Sequence, residues 1–162
     1  MFQNAGVLNF VANNINFSSN ATIQQILGAA PTHRVNTYNF SPGKVYSFHT
    51  SSNASTAPVY TVVNSINSNS IGSCSPKVTI QSSSAGYRAK IYKASLPFEV
   101  SNAIIRDINA RGVTMSVPGG EDLGNNLNVN ITANPSQNFY WVGGTGNWND
   151  ASHWSIGISG GI

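Results

Sequence analysis

Short runs of alternating apolar and polar residues recur along most of the chain, and clusters of Gly, Pro, Asn and Ser separate them. A period of two places every second side chain on the same face of a strand, and β-branched and aromatic residues occupy many of these positions. The pattern therefore predicts an all-β protein. The predicted strands are VLNFV (7–11), INF (15–17), KVYSFH (44–49), VYTVV (59–63), KVTIQ (77–81), YRAKIY (87–92), NAIIRDI (102–108), VTMSV (113–117) and LNVNI (127–131).

One segment, ATIQQILGAA (21–30), is a candidate helix, because Asn20 is a suitable N-cap and Pro31 would end it. The segment is short, so the helix is the less favoured interpretation there.

Two internal echoes indicate a repeated unit. SNATIQQI (19–26) is echoed by SNAIIRDI (101–108), and NNINF (13–17) by NNLNV (125–129). Stacked architectures leave self-similarity of this kind. The predicted fold is a parallel, right-handed β-solenoid, or β-helix, with short strands and coils of about 20–25 residues. In it, apolar side chains face a narrow core, and corner Asn and Ser side chains stack on the next coil. The alternative is an antiparallel β-sandwich, whose strands also recur every ~8–12 residues.

The composition favours a folded, non-cytoplasmic protein. Charged residues make up 8% of the chain, against about 25% in a typical protein. The 22 asparagines and 22 serines supply polarity in their place, while 40% of residues are hydrophobic. Such a balance excludes disorder and is common in secreted and surface β-proteins. The net charge is +3, but the basic residues are scattered, so no nucleic-acid partner is predicted.

No targeting or membrane segment is visible. The start, MFQNAGVLNF, lacks the basic region and long apolar core of a signal peptide. No run approaches the ~18 apolar residues of a membrane span. Export signals are therefore expected outside this segment. Cys74 is the single cysteine; it is either a small buried residue or the partner of a cysteine beyond this segment.

The character of the chain changes near residue 133. A polar, Pro-containing joint (133–138) precedes FYWVGGTGNWNDASHWSIGISGG (139–161), which holds all three tryptophans. The predicted division is a solenoid module at 1–132, the joint at 133–138, and the beginning of a next module at 139–162. The aromatic rings either form the core of a hairpin or contact a glycan, since aromatic faces beside polar side chains suit sugar rings. The possible glycan-contact residues are Tyr140, Trp141, Trp148 and Trp154.

The polar residues do not suggest an enzyme or a metal site. Glu121 and Asp122 are adjacent, so on a strand they would point to opposite faces, and Asp107 lies beside Arg106. The histidines, at positions 33, 49 and 153, lack metal-ligand spacing. Asn125, with the two acids at 121 and 122, is the best local candidate for calcium, but the usual calcium-repeat pattern is missing. No catalytic residue, metal ligand or cofactor is predicted.

Two stretches resemble a known family. The motif YWVGGTGNW (140–148), followed by HWS (153–155) and SGG (159–161), is similar to the repeat opening of giant surface proteins of Bacteroidota. These include the gliding-motility adhesins exported by the type IX secretion system. Residues 78–95, 102–112 and 123–129 resemble the end of the same repeat. Residues 1–75 share only the general composition of these repeats and match no motif.

The resemblance implies a secreted, repetitive, β-rich filament on the cell surface, without a cofactor or a catalytic residue. Its members serve adhesion and, in gliding bacteria, movement. The leading hypothesis is therefore a non-catalytic structural repeat of a very large extracellular adhesin. Implied partners are neighbouring repeats, a surface polysaccharide or substratum, and the secretion and gliding machinery through other parts of the chain. In related repeats a cysteine often follows the Ser-Gly-Gly segment, which leaves open both interpretations of Cys74, including pairing across a module boundary.

Two alternatives stand beside this hypothesis. One is a carbohydrate-binding module that uses the C-terminal tryptophans. The other is a relative of polysaccharide-active β-helix enzymes, since β-solenoids also carry lyases and hydrolases.

Overall fold

A computed structural model describes residues 10–24, 33–52, 57–70, 75–134 and 138–156. Within these ranges the chain forms short strands and one 3₁₀ turn, and it contains no α-helix. The all-β prediction is thus confirmed. The strands are β1 (Phe10–Phe17), β2 (Ala21–Ile23), β3 (His33–Phe40), β4 (Val45–Phe48), β5 (Val59–Asn67), β6 (Val78–Ser82), β7 (Ala89–Lys93), β8 (Ala103–Arg106), β9 (Ile108–Gly112), β10 (Met115–Pro118), β11 (Glu121–Asp122), β12 (Val129–Thr132), β13 (Phe139–Trp141) and β14 (Trp154–Ile156).

The chain alternates between two parallel sheets. The first sheet has the order β1-β3-β5-β7-β9, and the second has the order β11-β8-β6-β4-β2. A third, shorter parallel ladder joins β10 to β12, and a bridge between Glu99 and Ser116 extends it. The sandwich alternative predicts antiparallel pairing. Among the described strands such pairing occurs only between β13 and β14.

The stacked levels are less uniform than the predicted coils. Phe10 pairs with His33, 23 residues later, but Val45 pairs with Thr79, 34 residues later. Towards the other end, Met115 pairs with Val129 after only 14 residues. Parallel stacking therefore persists while the connections between strands change greatly in length.

The structure differs from the local predictions at several places, and three of them are informative. β3 was not predicted, because its alternation slips at an irregularity between Val35 and Thr37. The predicted strand 102–108 is two strands, since Asp107 has a φ of 55° and turns the chain between β8 and β9. In the candidate helix 21–30, Ala21–Ile23 form β2 and residues 25–30 lie outside the described ranges.

A hydrophobic core lies between the sheets and changes character along the stack. The early levels bury aromatic rings: Phe40 stacks on Tyr46 at 4.0 Å between centroids, and Phe48 meets Tyr60 edge-on at 5.0 Å. The phenol oxygen of Tyr60 lies 3.0 Å from the carbonyl oxygens of both Ile23 and His49, which satisfies its buried polar end. The later levels bury smaller aliphatic side chains, including Ile80, Ile91, Ile105 and Ile108.

Polar side chains form ladders outside this core. Asn39 donates its amide to the Asn16 side chain, and Asn67 donates to Asn39, each at 2.7 Å. These three asparagines occupy equivalent positions on β1, β3 and β5. Asparagines therefore stack on neighbouring levels, but these three lie on strands and not at the corners where such stacking was predicted. Identical amides in parallel register continue the hydrogen-bond ladder of the backbone.

The parallel series ends at Thr132, and antiparallel pairing begins at Phe139. Residues 135–137 of the proposed joint lie outside the described ranges, as do Cys74 and the SGG segment. The division into a module at 1–132, a joint at 133–138 and a next module at 139–162 stays a prediction.

Candidate functional site

The C-terminal hairpin brings the three tryptophans together. β13 pairs with β14 so that Trp141 lies opposite Trp154, and the Val142 amide donates to the His153 carbonyl oxygen at 2.8 Å. The loop between the strands contains Gly143 and Gly144 with φ values of 80° and 56°, a conformation that glycine adopts at little steric cost. The loop therefore returns the chain so that distant aromatic residues meet.

Four rings form what we call the aromatic cluster: Trp141, Trp148, His153 and Trp154. The Trp141 and His153 rings stack nearly parallel, with an angle of 5° between their planes and a centroid distance of 4.8 Å. Trp148 stacks on Trp141 at 6.4 Å and meets Trp154 edge-on at 4.4 Å. Stacked and edge-on geometries are those that aromatic quadrupoles favour. The cluster is thus an ordered packing unit.

Hydrogen bonds fix the orientation of two indoles. Trp141 Nε1 donates to the Gly144 carbonyl oxygen at 2.8 Å, and Trp154 Nε1 donates to the Trp148 carbonyl oxygen at 3.0 Å. Gly146 lies directly over the His153 ring, and a β-carbon at this position would overlap the imidazole. Gly146 therefore has a packing role, because only a residue without a side chain fits against this ring.

The cluster is only partly enclosed by the hairpin. Trp148 is 72% exposed and Trp141 is 36% exposed. Both interpretations of the motif thus have support in the geometry: the rings pack on one another, and one indole presents most of its surface to solvent. An exposed aromatic surface of this kind is characteristic of binding sites.

The predicted glycan-contact residues are not all brought together. Trp141, Trp148 and Trp154 are in the cluster, whereas Tyr140 follows the alternation of β13 and lies on its opposite face. Sequence reasoning missed His153 as the fourth ring. Alternation could not have found it, because His153 lies in the 3₁₀ turn Ala151–His153 directly before β14 and not on the strand. Whether any of these residues contacts a glycan stays a prediction.

Asp150 closes the loop that carries Trp148. Its Oδ1 accepts hydrogen bonds from the Ser152 hydroxyl at 2.7 Å and from the Ser152 backbone amide at 3.0 Å. The side-chain hydrogen bond from Ser152, then the backbone bond, lowers the pKa of Asp150. Its Oδ2 lies 3.9 Å from His153 Nε2, so a protonated His153 would be attracted to it. This acid therefore serves the geometry of the loop.

The acids of the stack have structural partners. Asp107 is 3% exposed; its carboxylate accepts from the Asn125 side-chain amide at 2.5 Å and from the Gly86 backbone amide at 3.2 Å. Arg106 Nε lies 3.7 Å from the same carboxylate. Asp107 therefore links neighbouring levels at a corner, through Gly86 and Asn125, in addition to its contact with the adjacent Arg106.

The calcium candidates are engaged separately. Glu121 lies 3.8 Å from Lys77 Nζ, while Asp122 accepts from the Gly124 amide at 2.7 Å and from the Asn126 side chain at 2.6 Å. Asn125 instead faces Asp107. Across the described residues, no group of three or more His, Cys, Asp or Glu side chains could hold a metal ion.

The remaining histidines have separate surroundings. His33 is 5% exposed and meets Tyr60 edge-on at 5.1 Å; burial lowers its pKa to about 4, since the charged form loses its hydration. His49 Nδ1 lies 3.4 Å from the Ser83 hydroxyl. His33 is thus a neutral core residue at ordinary pH.

Comparisons with protein-family models, curated proteins and solved structures gave no match to this chain. In the parts of the chain that the structure describes, no helix has the length and apolar character needed to cross a membrane.

Proposed function

We propose that this chain is a non-catalytic structural module of a very large extracellular adhesin at the cell surface, and that residues 1–132 form a parallel β-solenoid. The winding is right-handed in this proposal, because crossovers between parallel strands of one sheet are right-handed in ~98% of cases. Neighbouring repeats of the same polypeptide cover its ends. The export and gliding machinery engages other parts of that polypeptide.

The order of visits to the three ladders supports a solenoid. β9, β10 and β11 follow one another closely, and each belongs to a different ladder. One short circuit of the chain, from Ile108 to Asp122, therefore touches three faces. Leu127 then bridges Asn109 on the first sheet again, as a further circuit requires.

The observation that carries the structural role is the asparagine ladder of residues 16, 39 and 67, which links three successive levels of the first sheet. Asparagine side chains also form hydrogen bonds between the later levels of the stack. Asn126 accepts from the Ile108 amide at 3.0 Å and donates to the Ile105 carbonyl oxygen at 3.1 Å. Asn128 donates to the Ala110 carbonyl oxygen at 3.1 Å.

These contacts join levels through uncharged groups, so salt should affect them little. Each asparagine hydrogen bond lies beside the backbone hydrogen bonds of a parallel ladder. A pulling force along the stack is then shared among many hydrogen bonds. A stiff spacer that carries weak, repeated surface contacts gains avidity from multivalency. This is the mechanism proposed for adhesion.

The test uses the full-length protein in its own cells. Antibodies against residues 75–134 should label intact cells, and a strain in which this segment is deleted in frame should attach less to a surface. A control deletion strain complemented with the intact gene should regain attachment. Labelling only after permeabilisation, or unchanged attachment with normal surface display of the shortened protein, would contradict the proposal.

The aromatic cluster supports a second candidate function, carbohydrate binding. Trp148 is 72% exposed beside the polar side chains of Asn147 and Asn149, which suits a neutral sugar ring and its hydroxyls. A glycan array probed with the wild type and Trp148→Ala tests it. Leu123→Ala is the matched control, because Leu123 is 49% exposed and lies outside the cluster. Equal signals from wild type and Trp148→Ala would reject this candidate.

A further inference from the structure

We propose that the outer face of the first sheet binds an anionic polysaccharide. One column of outward positions crosses all five strands of this sheet: Val11, Arg34, Thr61, Tyr92 and Arg111 are paired in register from β1 to β9. The column holds two arginines and a tyrosine, all three exposed. This surface is distinct from the aromatic cluster of the hairpin, and the inference does not depend on the filament role.

The charged side chains on this face are all positive. The strands β1, β3, β5, β7 and β9 contain no Asp or Glu, whereas Arg34, Lys90 and Arg111 all point outward from them. The five acids of the chain lie elsewhere, at positions 99, 107, 121, 122 and 150. Within the described ranges, neither Arg34 nor Arg111 lies within ion-pair distance of an acidic side chain.

Two of these cations, Lys90 and Arg111, also lie close to each other. Lys90 pairs in register with Asn109, two residues before Arg111 on β9. Partial burial, and then the nearby positive charge of Arg111, lower the pKa of Lys90. An anion bound here would relieve this repulsion, so the face suits a negatively charged ligand.

Two grooves give the face a shape. One, of about 330 Å³, is lined by Arg34, Thr61, Tyr92 and Ser95, among others. A second, of about 200 Å³, is lined by Tyr87, Arg88 and Lys90 together with serine and threonine residues. Each groove thus combines a tyrosine, a guanidinium group and hydroxyls.

That combination matches an acidic sugar. Guanidinium groups bind carboxylates or sulfates through paired hydrogen bonds. A tyrosine ring packs on the apolar face of a pyranose, and hydroxyl groups bond with those of the sugar.

The spacing favours a linear polymer. Rungs of a parallel sheet are about 4.8 Å apart, so Arg34 and Arg111 lie three rungs, or about 14 Å, from each other with Tyr92 between them. A single-stranded nucleic acid would instead call for several aromatic platforms along the path of its bases. An anionic polysaccharide fits the face better.

The test measures binding of the full chain to alginate, heparin, dextran and single-stranded DNA by biolayer interferometry. We expect binding to an acidic polysaccharide but not to neutral dextran. Raising salt from about 0.1 M to about 1 M should weaken it strongly, because the Debye length falls from about 10 Å to about 3 Å. The alginate and heparin arms show whether carboxylates or sulfates are preferred.

Variants locate the site. Arg34→Gln and Arg111→Gln should each weaken binding about tenfold, the loss expected for one charged hydrogen-bonded contact. Lys44→Gln removes the same charge beside the second sheet, and Trp148→Ala alters the aromatic cluster; both should bind like the wild type. Thermal unfolding of each variant verifies that it is folded.

Four outcomes would overturn the proposal. These are no binding to either acidic polysaccharide, equal binding to dextran, an equal loss in Lys44→Gln, and tighter binding to single-stranded DNA. The last outcome would assign the face to nucleic acid.

Discussion

His33 should make the stability of this protein depend on pH. Burial lowers its pKa from 6.5 to about 4 in the folded chain, so the unfolded chain binds a proton more readily between these values. Stability is therefore fully present above pH 6.5 and is lost as pH falls towards 4. The free energy of unfolding should drop by about 2 kcal/mol at pH 5 and by about 3 kcal/mol at pH 4 from this group alone.

The titratable neighbours of His33 among the described residues do not offset this loss. They are Tyr38, whose phenol oxygen lies 3.4 Å from His33 Nδ1, and Tyr60, whose ring is 5.1 Å away. Burial, and then the neighbouring Tyr60, raise the pKa of Tyr38 well above 10. The Tyr38 phenol thus stays neutral between pH 4 and pH 7 and cannot stabilise an imidazolium by charge.

The assay is urea unfolding at a series of pH values for the wild type and His33→Gln. The variant keeps a polar side chain but cannot be protonated, so its unfolding free energy should fall less steeply with acid. Carboxylates titrate equally in both proteins, and the difference isolates His33. Val59→Ala is the control, because it removes no titratable group, and it should retain the wild-type slope. If His33→Gln and the wild type lose stability in parallel, the burial argument is wrong.

Three further predictions concern packing. Phe48→Ala should lower the unfolding free energy by about 3–5 kcal/mol, because the ring is fully buried; the same change at Val59, which is 36% exposed, should cost far less in the same denaturant titration. Asn39→Ala removes two amide hydrogen bonds and should cost about 1–2 kcal/mol, and an unchanged midpoint would show that the ladder contributes nothing. Gly146→Ala should displace His153 and change the near-ultraviolet circular dichroism of the tryptophans while far-ultraviolet signals stay constant; an unchanged near-ultraviolet spectrum would refute the close packing there.

Local pattern predicted strands well where alternation is regular. β6 and β7 overlap the predicted runs 77–81 and 87–92, and each strand ends one residue beyond its run. In both strands, buried and more exposed positions alternate without interruption. β3 was missed because its alternation slips between Val35 and Thr37. The run 102–108 was read as one strand, because nothing in its composition marks the left-handed turn at Asp107.

The first sequence echo has a structural basis. Its two copies place β2 and β8 in the same sheet, each beginning at the alanine of the Ser-Asn-Ala motif. Through the strand pairs between them, however, Ala21 lies in the column of Ile105 and not in that of Ala103. The copies share a sheet and a face but are displaced by two residues, so similarity of sequence does not fix register.

The candidate site was likewise predictable from the sequence only in part. The tryptophans lie close along the chain with glycines between them, so their meeting was predictable from local sequence. Tyr140 was grouped with them by composition, although the alternation of β13 separates it from Trp141. The basic face of the first sheet could not be predicted, because Arg34 and Arg111 are far apart in sequence.

By itself, the sequence determined the all-β class, most of the strand positions and the aromatic content of the C-terminal segment. These properties depend on side-chain alternation and turn residues within a few positions. The internal echoes favoured parallel pairing over the antiparallel alternative, and the tertiary structure decided between the two. Only that structure showed that the asparagines at 16, 39 and 67 form a ladder and that His33 is buried. Strand pairing joins residues 14 to 34 positions apart, and a period of two reveals which face is buried but not which strand lies alongside.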